Sequence, residues 1–333
     1  MIKILGSIRL TLVILTIIII LSIWGSLDPE GKLYYHPVYL GSLSLLGLNI
    51  LTCVLKRVKN GRLTMKSAGY FLSHIGFLVI LLGALTSLVF GFRTLVWLGE
   101  GDRISDISIG GNILESLGCA VVLQSFEIDL HDSGMPDRYV SRVLVSCPDR
   151  PEQEHEILVN KPLKVNEYRL FQSSFRLQPV QTATLEMKLP DDTWRRFDIR
   201  VPGEAVELET GDIGSLRIRG LQYEPDFVLY DSRRAGSRSA FPLNPAVLIS
   251  VENERDDADV FWTFLHHRHH DHMAEIRSPS IYFAAVDQAY QSGIEIVRDP
   301  GMKWVMIGGV LLMAGLGLYL AAALFKEIDR NAH

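Results

Sequence analysis

Residues 66–92 read "KSAGYFLSHIGFLVILLGALTSLVFGF", an apolar run that contains one imidazole, that of His74. The run is long enough to cross a bilayer, because about 20 apolar residues span the hydrocarbon core as a helix. Three more segments reach this length, so that the candidate spans cover about 8–25, 37–55, 69–91 and 303–325. The sequence therefore predicts a membrane protein.

A polar stretch at about 93–300 separates the third span from the fourth. This order predicts three transmembrane helices within 1–92, a large extracytoplasmic β-rich domain over 93–300, and a final transmembrane helix with a cytoplasmic tail over 301–333. The first span follows a basic start, as a secretory signal does. No A-x-A-like cleavage site follows it, so we interpret it as a retained helix.

The inserted stretch has the pattern of an all-β domain. From about 119 to 299, β-branched and aromatic residues recur at every second position in short segments, such as "TATLEMKL" and "AVLISVEN", with Gly, Pro, Asp and Asn at the breaks. A sandwich or an open barrel is the expected result. Residues 103–118 are expected to hold a short helix.

Charge in the short loops predicts the orientation. The loop "KRVKNGRLTMK" between the second and third spans carries five Lys and Arg residues, whereas the preceding loop carries only Lys32. Since basic loops stay in the cytoplasm, both termini are predicted to be cytoplasmic and the large domain to lie on the outer, periplasmic side of a bacterial inner membrane. Residues 97–302 hold 34 acidic and 21 basic side chains, which argues against a nucleic-acid partner.

The domain lacks the usual catalytic patterns. We find no G-x-S-x-G, no H-E-x-x-H, no phosphate loop and no dinucleotide fingerprint, so we predict no catalytic residue and interpret the domain as a binding or scaffolding module. The tract "FLHHRHHDHM" carries five histidines between His266 and His272, but their spacing matches no closed metal site, which favours a polar loop. Cys119 and Cys147 could pair in an oxidising compartment or remain small buried thiols, and both alternatives stay open.

Helical geometry separates His74 from a stripe of small residues. At 100° per residue the third span aligns Gly69, Gly76, Gly83 and Ser87 on one side, and His74 projects from nearly the opposite side. The last span repeats small residues every seven positions, at Gly301, Gly308, Gly315 and Ala322. Because small residues let helices approach closely in lipid, the two stripes are expected to pack together.

His74 then faces something other than the last span. It lies about 12 Å from the cytoplasmic end, and ionisable groups at such depth usually mark a ligand, a pathway or a partner. One alternative is a neutral imidazole that hydrogen-bonds a hydroxyl of the second span, from Ser42, Ser44 or Thr52. The other is a ligand to a metal shared with another chain, for which haem with axial imidazoles is the best suited group.

Several segments, in this order, resemble the ResB/CcsB family of cytochrome c biogenesis (System II) proteins. They are "GSIRLTLVILTIIIILSIWGSLDP", "YFLSHIGFLVILLGALTSLVFGFR", "VNEYRLFQSSF", "NPAVLISV" and "GIEIVRDPGMKWVMIGG". The third of these has Phe171 where the family commonly has Tyr. The resemblance runs nearly from end to end, although family members are often longer.

The resemblance implies a function. Such proteins work with a multi-span ResC/CcsA-type partner that bears a Trp-rich motif, and together they carry haem b across the membrane and present it for covalent attachment to apocytochrome c. His74 matches the family's intramembrane histidine, an axial ligand to the haem iron, and the partner supplies the other ligand. This chain lacks the Trp-rich motif, so we expect a non-catalytic subunit of a haem-lyase complex. A membrane-anchored scaffold or an exporter subunit without haem is the alternative function.

Overall fold

The fold is described by a computed structural model, which divides the chain into two compact units. One unit comprises Met1–Arg93 and Val297–His333, and the other comprises Thr94–Ile296. The structure describes residues 5–28, 32–60, 64–109, 113–130, 136–189, 191–211, 214–230, 234–254, 257–267 and 280–331.

The first unit is built from long helices. These are α1 (Ile8–Leu27), α2 (Pro37–Asn60), α3 (Met65–Phe90) and α4 (Met302–Asn331), with a short 3-10 helix at Lys32–Tyr35. Within the described ranges, four helices are long and apolar enough to cross a membrane, and a β-rich region lies between α3 and α4, as the sequence predicts.

Polar side chains define where α3 and α4 begin. Thr64 and Ser67 form a capping box at the start of α3, in which each side chain accepts a hydrogen bond from the other residue's backbone N–H. At the start of α4, the Asp299 carboxylate accepts hydrogen bonds from the Met302 N–H at 3.0 Å and from the Ser87 hydroxyl at 2.5 Å. The last bond joins the beginning of α4 to the end of α3.

The two stripes of small residues meet between α3 and α4, which confirms the predicted packing. Three antiparallel glycine pairs lie in contact: Gly69 with Gly315, Gly76 with Gly308, and Gly83 with Gly301. A Cβ atom added at Gly76 would lie 2.5 Å from the backbone N of Leu312 and 2.7 Å from the Gly308 carbonyl oxygen. Only glycine permits this approach, and the resulting van der Waals contact is the main force that joins helices in lipid.

A buried amide holds α1 against α2. Asn49 is fully buried, and its Nδ2 donates to the Leu5 carbonyl at 2.5 Å while its Oδ1 accepts from the Thr11 hydroxyl at 2.7 Å. The Thr52 hydroxyl also donates to the Leu5 carbonyl at 3.2 Å. These bonds satisfy polar groups that would otherwise be costly in an apolar environment, so they favour one arrangement of the two helices.

The second unit consists of strands, and the β-rich prediction holds. The seventeen described strands, of which β1 and β17 reach the border with the helices, are β1 (Phe92–Leu98), β2 (Arg103–Ile109), β3 (Ile113–Leu130), β4 (Pro136–Cys147), β5 (Arg150–Leu158), β6 (Leu163–Val165), β7 (Tyr168–Leu177), β8 (Gln181–Lys188), β9 (Trp194–Val201), β10 (Val206–Glu209), β11 (Ser215–Glu224), β12 (Phe227–Leu229), β13 (Ala235–Ser237), β14 (Ala246–Asn253), β15 (Ala258–Phe264), β16 (Ile281–Asp287) and β17 (Tyr290–Arg298).

These strands form four larger sheets and one hairpin. The larger sheets have the strand orders β1-β17-β7-β6, β2-β3-β4-β5, β16-β8-β9 and β10-β11-β14-β15, and β12 pairs with β13. Alternate residues of β8, namely Ala183, Leu185 and Met187, are fully buried. They pack with residues such as Ile218 and Ile249 of the neighbouring sheet in one apolar core. The period-two pattern therefore produces sheets packed face to face.

The short helix predicted at 103–118 is wrong, because Arg103–Ile109 form β2 and residues 113–118 begin β3, while residues 110–112 lie outside the described residues. Ile104 and Ile107 of β2 are both buried although they are three residues apart, a spacing typical of a helix. The pairing of β2 with β3 shifts register between Ile104 and Asp106. Such a bulge changes the phase of the strand, so that two residues three positions apart can both be buried.

The two cysteines of the β-rich unit are bonded. Ala120 of β3 lies opposite Ser146 of β4, and this register brings Cys119 and Cys147 together in a disulfide. The structure thus chooses between the two alternatives that the sequence leaves open. The remaining cysteine, Cys53 of α2, is free and half-buried.

Candidate functional site

His74 lies on α3. The three glycines Gly69, Gly76 and Gly83 pack against α4 and form what we call the glycine seam, and His74 lies on a different side of the helix. Its neighbours Ser73 and Gly76 are buried, and Gly76 contacts α4, whereas His74 is half-buried. Its Nδ1 lies 2.8 Å from the carbonyl oxygen of Tyr70, one turn earlier on the same helix. A carbonyl oxygen can only accept a hydrogen bond, so Nδ1 carries the proton.

This hydrogen bond leaves the other ring nitrogen available. With the proton on Nδ1, Nε2 of the neutral imidazole bears a lone pair, and it has no hydrogen-bond partner among the described residues. Metal-bound histidines usually have this form, in which one nitrogen donates to a carbonyl and the other binds the metal. The helix backbone therefore sets both the tautomer and the direction of a potential ligand.

Tyr70 also fixes the plane of the imidazole. Its ring lies against the His74 ring, with centroids 3.9 Å apart and planes inclined by 34°. Arg57, which lies near the end of α2, places its guanidinium carbon 5.1 Å from the centroid of the Tyr70 ring. The three side chains form a column that runs from the end of α2 to the middle of α3, and we call it the Arg57–Tyr70–His74 column.

Two of the three candidate hydroxyls of α2, those of Ser42 and Thr52, bond backbone carbonyls. The Ser42 hydroxyl donates to the Val38 carbonyl at 2.7 Å, and the Thr52 hydroxyl lies close to the Leu5 carbonyl, which precedes α1, and to carbonyls of its own helix. Ser44 lines a cavity between α2 and α3. His74 Nδ1 bonds the Tyr70 carbonyl, so within the described residues the alternative bond between the imidazole and a hydroxyl of α2 is not formed.

That cavity lies beside the part of α3 that follows His74, between Leu78 and Leu88. It has a volume of about 410 Å³ and an almost entirely apolar lining. The α3 residues that line it include Leu78, Leu81 and Leu85, which follow His74 by four, seven and eleven positions. Residues at such spacings share one face of a helix. His74 therefore shares a face of α3 with these leucines and precedes Leu78 by about one turn, although it does not line the cavity itself.

Among the described residues, His74 is not part of a cluster of metal-ligating side chains. It is the only histidine within the four spans of the sequence. Over the described ranges, no group of three or more His, Cys, Asp or Glu side chains is arranged to hold a metal ion. Of the predicted tract His266–His272, His266 and His267 follow β15, and residues 268–272 lie outside the described residues.

The segment "VNEYRLFQSSF" of the β-rich unit contributes to the core. Gln172 is buried with Ser141 and Ser292, whose hydroxyls lie 2.6 and 3.0 Å from its Oε1. Its Nε2 donates to the Ser174 carbonyl at 3.0 Å. Because each polar atom has a partner, the network joins β4, β7 and β17 without an uncompensated cost. This structural role explains why the segment carries a glutamine.

The ResB-like family model matches residues 60–261, more than half of the sequence. The chain belongs to the ResB-like family. The matched residues include His74 on α3 and most of the β-rich unit.

Individual relatives are named for cytochrome c biogenesis. Cytochrome c biogenesis protein CcsB of Prochlorococcus marinus (strain MIT 9313) is 25% identical over 259 residues, which cover 77% of this chain and 53% of the relative. The protein of the same name from Synechococcus sp. (strain CC9902) is 24% identical over 265 residues, or 78% of this chain and 54% of the relative. This ResB-like chain thus spans about half the length of the curated relatives that it matches.

Among solved structures, the chain is similar to a cytochrome c haem lyase, CcmF. The alignment covers 94% of this chain and 35% of that chain, with 10% sequence identity and a TM-score of 0.30. At this score the likeness supports no argument about fold or activity.

Proposed function

We propose that this ResB-like chain is a membrane subunit of cytochrome c biogenesis that holds haem b, as cargo, through His74. The family and the names of the relatives support the process. The geometry of His74 supports the haem step, and it is the observation on which the proposal depends. A neutral imidazole with its free lone pair on a half-buried, apolar helix face suits an axial ligand to iron.

The second ligand comes from another protein in this proposal. His74 is the only histidine of the spans, and six-coordinate haem requires two axial groups. A multi-span partner of the ResC/CcsA type supplies the other histidine and carries out the attachment to apocytochrome c. This chain binds and orients the cargo, and its own side chains perform no bond-breaking step.

The orientation in the membrane belongs to the same proposal. The loop that follows α2 carries the basic residues, so it faces the cytoplasm together with both termini of the sequence. The β-rich unit then lies on the outer side. The disulfide Cys119–Cys147 supports this placement, because disulfides persist in oxidising compartments.

Haem content of the purified complex tests the proposal. The full chain is purified with its partner from haem-replete cells, as wild type, as His74→Gly and as His155→Gly, the last altering a half-buried histidine of β5, far along the sequence from α3. We expect equal amounts of protein in all three samples and a haem-to-protein ratio that falls only in His74→Gly. A colourless wild-type complex would contradict the proposal and favour a scaffold without haem.

A further inference from the structure

The Arg57–Tyr70–His74 column ends in a cation that has no anionic partner among the described residues. The guanidinium of Arg57 is exposed, and within the described part of the chain it makes no hydrogen bond or ion pair, only its contact with the Tyr70 ring. An arginine offers five N–H donors in a planar fork that matches the two oxygens of a carboxylate. The exposed guanidinium of Arg57 could therefore bind an anion.

The column limits how far this cation can lie from the His74 ring, and hence from an iron bound to that ring. The Arg57 guanidinium carbon and the His74 ring centroid lie 5.1 and 3.9 Å from the centroid of Tyr70, so they are at most about 9 Å apart. A metal on the imidazole lies only about 2 Å from its nitrogen. Haem is a flat molecule with two carboxylates on one edge, and such an edge is within reach of Arg57.

We propose that Arg57 binds the carboxylates of the haem that His74 holds, and so orients the charged edge of the porphyrin toward the basic end of α2. The inference rests on the proposed function, because it requires haem at His74. It assigns to Arg57 a role in positioning the cargo. The apolar remainder of the porphyrin then faces the cavity lined by Leu78 and Leu81.

Other cations of this region are placed differently. Lys66, at the start of α3, lies over the ring of Tyr319 of α4, at 5.1 Å from its centroid, and thus belongs to the α4 side. Lys56 Nζ lies 3.5 Å from the Gly6 carbonyl oxygen, near the start of α1. Arg57 is the cation that contacts Tyr70, and Lys66 offers a matched control with the same charge at the same end of the helices.

The test compares haem with its dimethyl ester, which retains the iron and the porphyrin but lacks both negative charges. Haem-depleted complex of the full chain and its partner is titrated with each compound, and binding is followed by absorbance. Hydrogen bonds to charged groups are worth about 1.5–3 kcal/mol, so Arg57→Ala should weaken haem binding by roughly 10- to 100-fold. It should leave the affinity for the ester unchanged, and Arg57→Lys should fall in between.

The variants separate the two hypotheses. Lys66→Ala should bind both compounds like the wild type, and His74→Gly should lose affinity for both. An equal loss of both compounds in Arg57→Ala, or no loss of either, overturns the role of Arg57 while the role of His74 stands. Unchanged binding of both compounds by His74→Gly overturns the proposed function itself.

Discussion

The seam between α3 and α4 allows a sharp prediction, because two adjacent glycines of α4 lie in opposite surroundings. A Cβ atom at Gly308 would lie 2.6 Å from the Gly76 carbonyl oxygen and 2.7 Å from the backbone N of Ile80. A Cβ atom at Gly309 would have no neighbour within 4 Å. Gly308→Ala and Gly309→Ala therefore add the same methyl group to the same helix, with and without a steric conflict.

The size of the effect follows from these distances. Ordinary contact begins at 3.4 Å, so the helices must separate by about 0.8 Å at Gly308, since backbone atoms of α3 are in the way. Insertion of an extra carbon into a close-packed interface costs about 1–3 kcal/mol. At Gly309 the methyl group should instead stabilise the helix by about 0.5–1 kcal/mol, because alanine loses less conformational entropy than glycine.

Unfolding of the helices in SDS, added to detergent-solubilised protein, measures the difference. Helix content is followed by circular dichroism, and the β-rich unit is monitored separately, since two units need not unfold together. Gly308→Ala should unfold at a lower SDS fraction than the wild type, and Gly309→Ala at an equal or higher one. Equal midpoints for the two variants would refute the close packing of the seam.

Two further predictions concern the β-rich unit. Because Cys119 and Cys147 are bonded, denatured but unreduced protein should take up one alkylating group, at Cys53, and reduced protein three, as counted by mass spectrometry; three groups without reduction would contradict the disulfide. Burial raises the pKa of the Tyr223 phenol, and the nearby Tyr290 raises it further, so the unfolded chain loses this proton first as pH rises above about 10. The unfolding temperature of the β-rich unit should therefore fall above that pH. The fall should be less steep in Tyr223→Phe than in the control Tyr230→Phe, which alters an exposed ring. Equal pH dependence of the unfolding temperature in both variants would contradict the raised pKa of Tyr223.

The packing of α3 against α4 could be predicted because small residues recur with the same period in both helices. Small residues recur every seven positions both in α3 and in α4, and a shared repeat fixes which faces of two antiparallel helices can meet. The direction of His74 followed from the same geometry. Its hydrogen bond with Tyr70 could have been anticipated as well, since residues four apart lie one above the other on a helix.

Other features could not be predicted, since they depend on contacts between distant segments. The bulge in β2 lets Ile104 and Ile107 both be buried. Their spacing of three residues is typical of a helix, so the sequence does not indicate a strand there. The burial of strand β17 departs from the period of two, because the strand lies inside a sheet and buries three consecutive residues, Ser292 to Ile294. The place of Arg57 over Tyr70 depends on how α2 packs beside α3, which no pattern in either helix specifies.

The most direct test of the central claim is to replace the His74 ring with free imidazole. The complex of the full chain with its partner is purified as His74→Gly, and its visible spectrum is recorded before and after imidazole is added. If Nε2 of His74 holds the iron, as we propose, the Soret band should be weakened in the variant, and imidazole should restore much of it by filling the vacant position. A variant whose haem spectrum equals that of the wild type before imidazole is added would contradict the account.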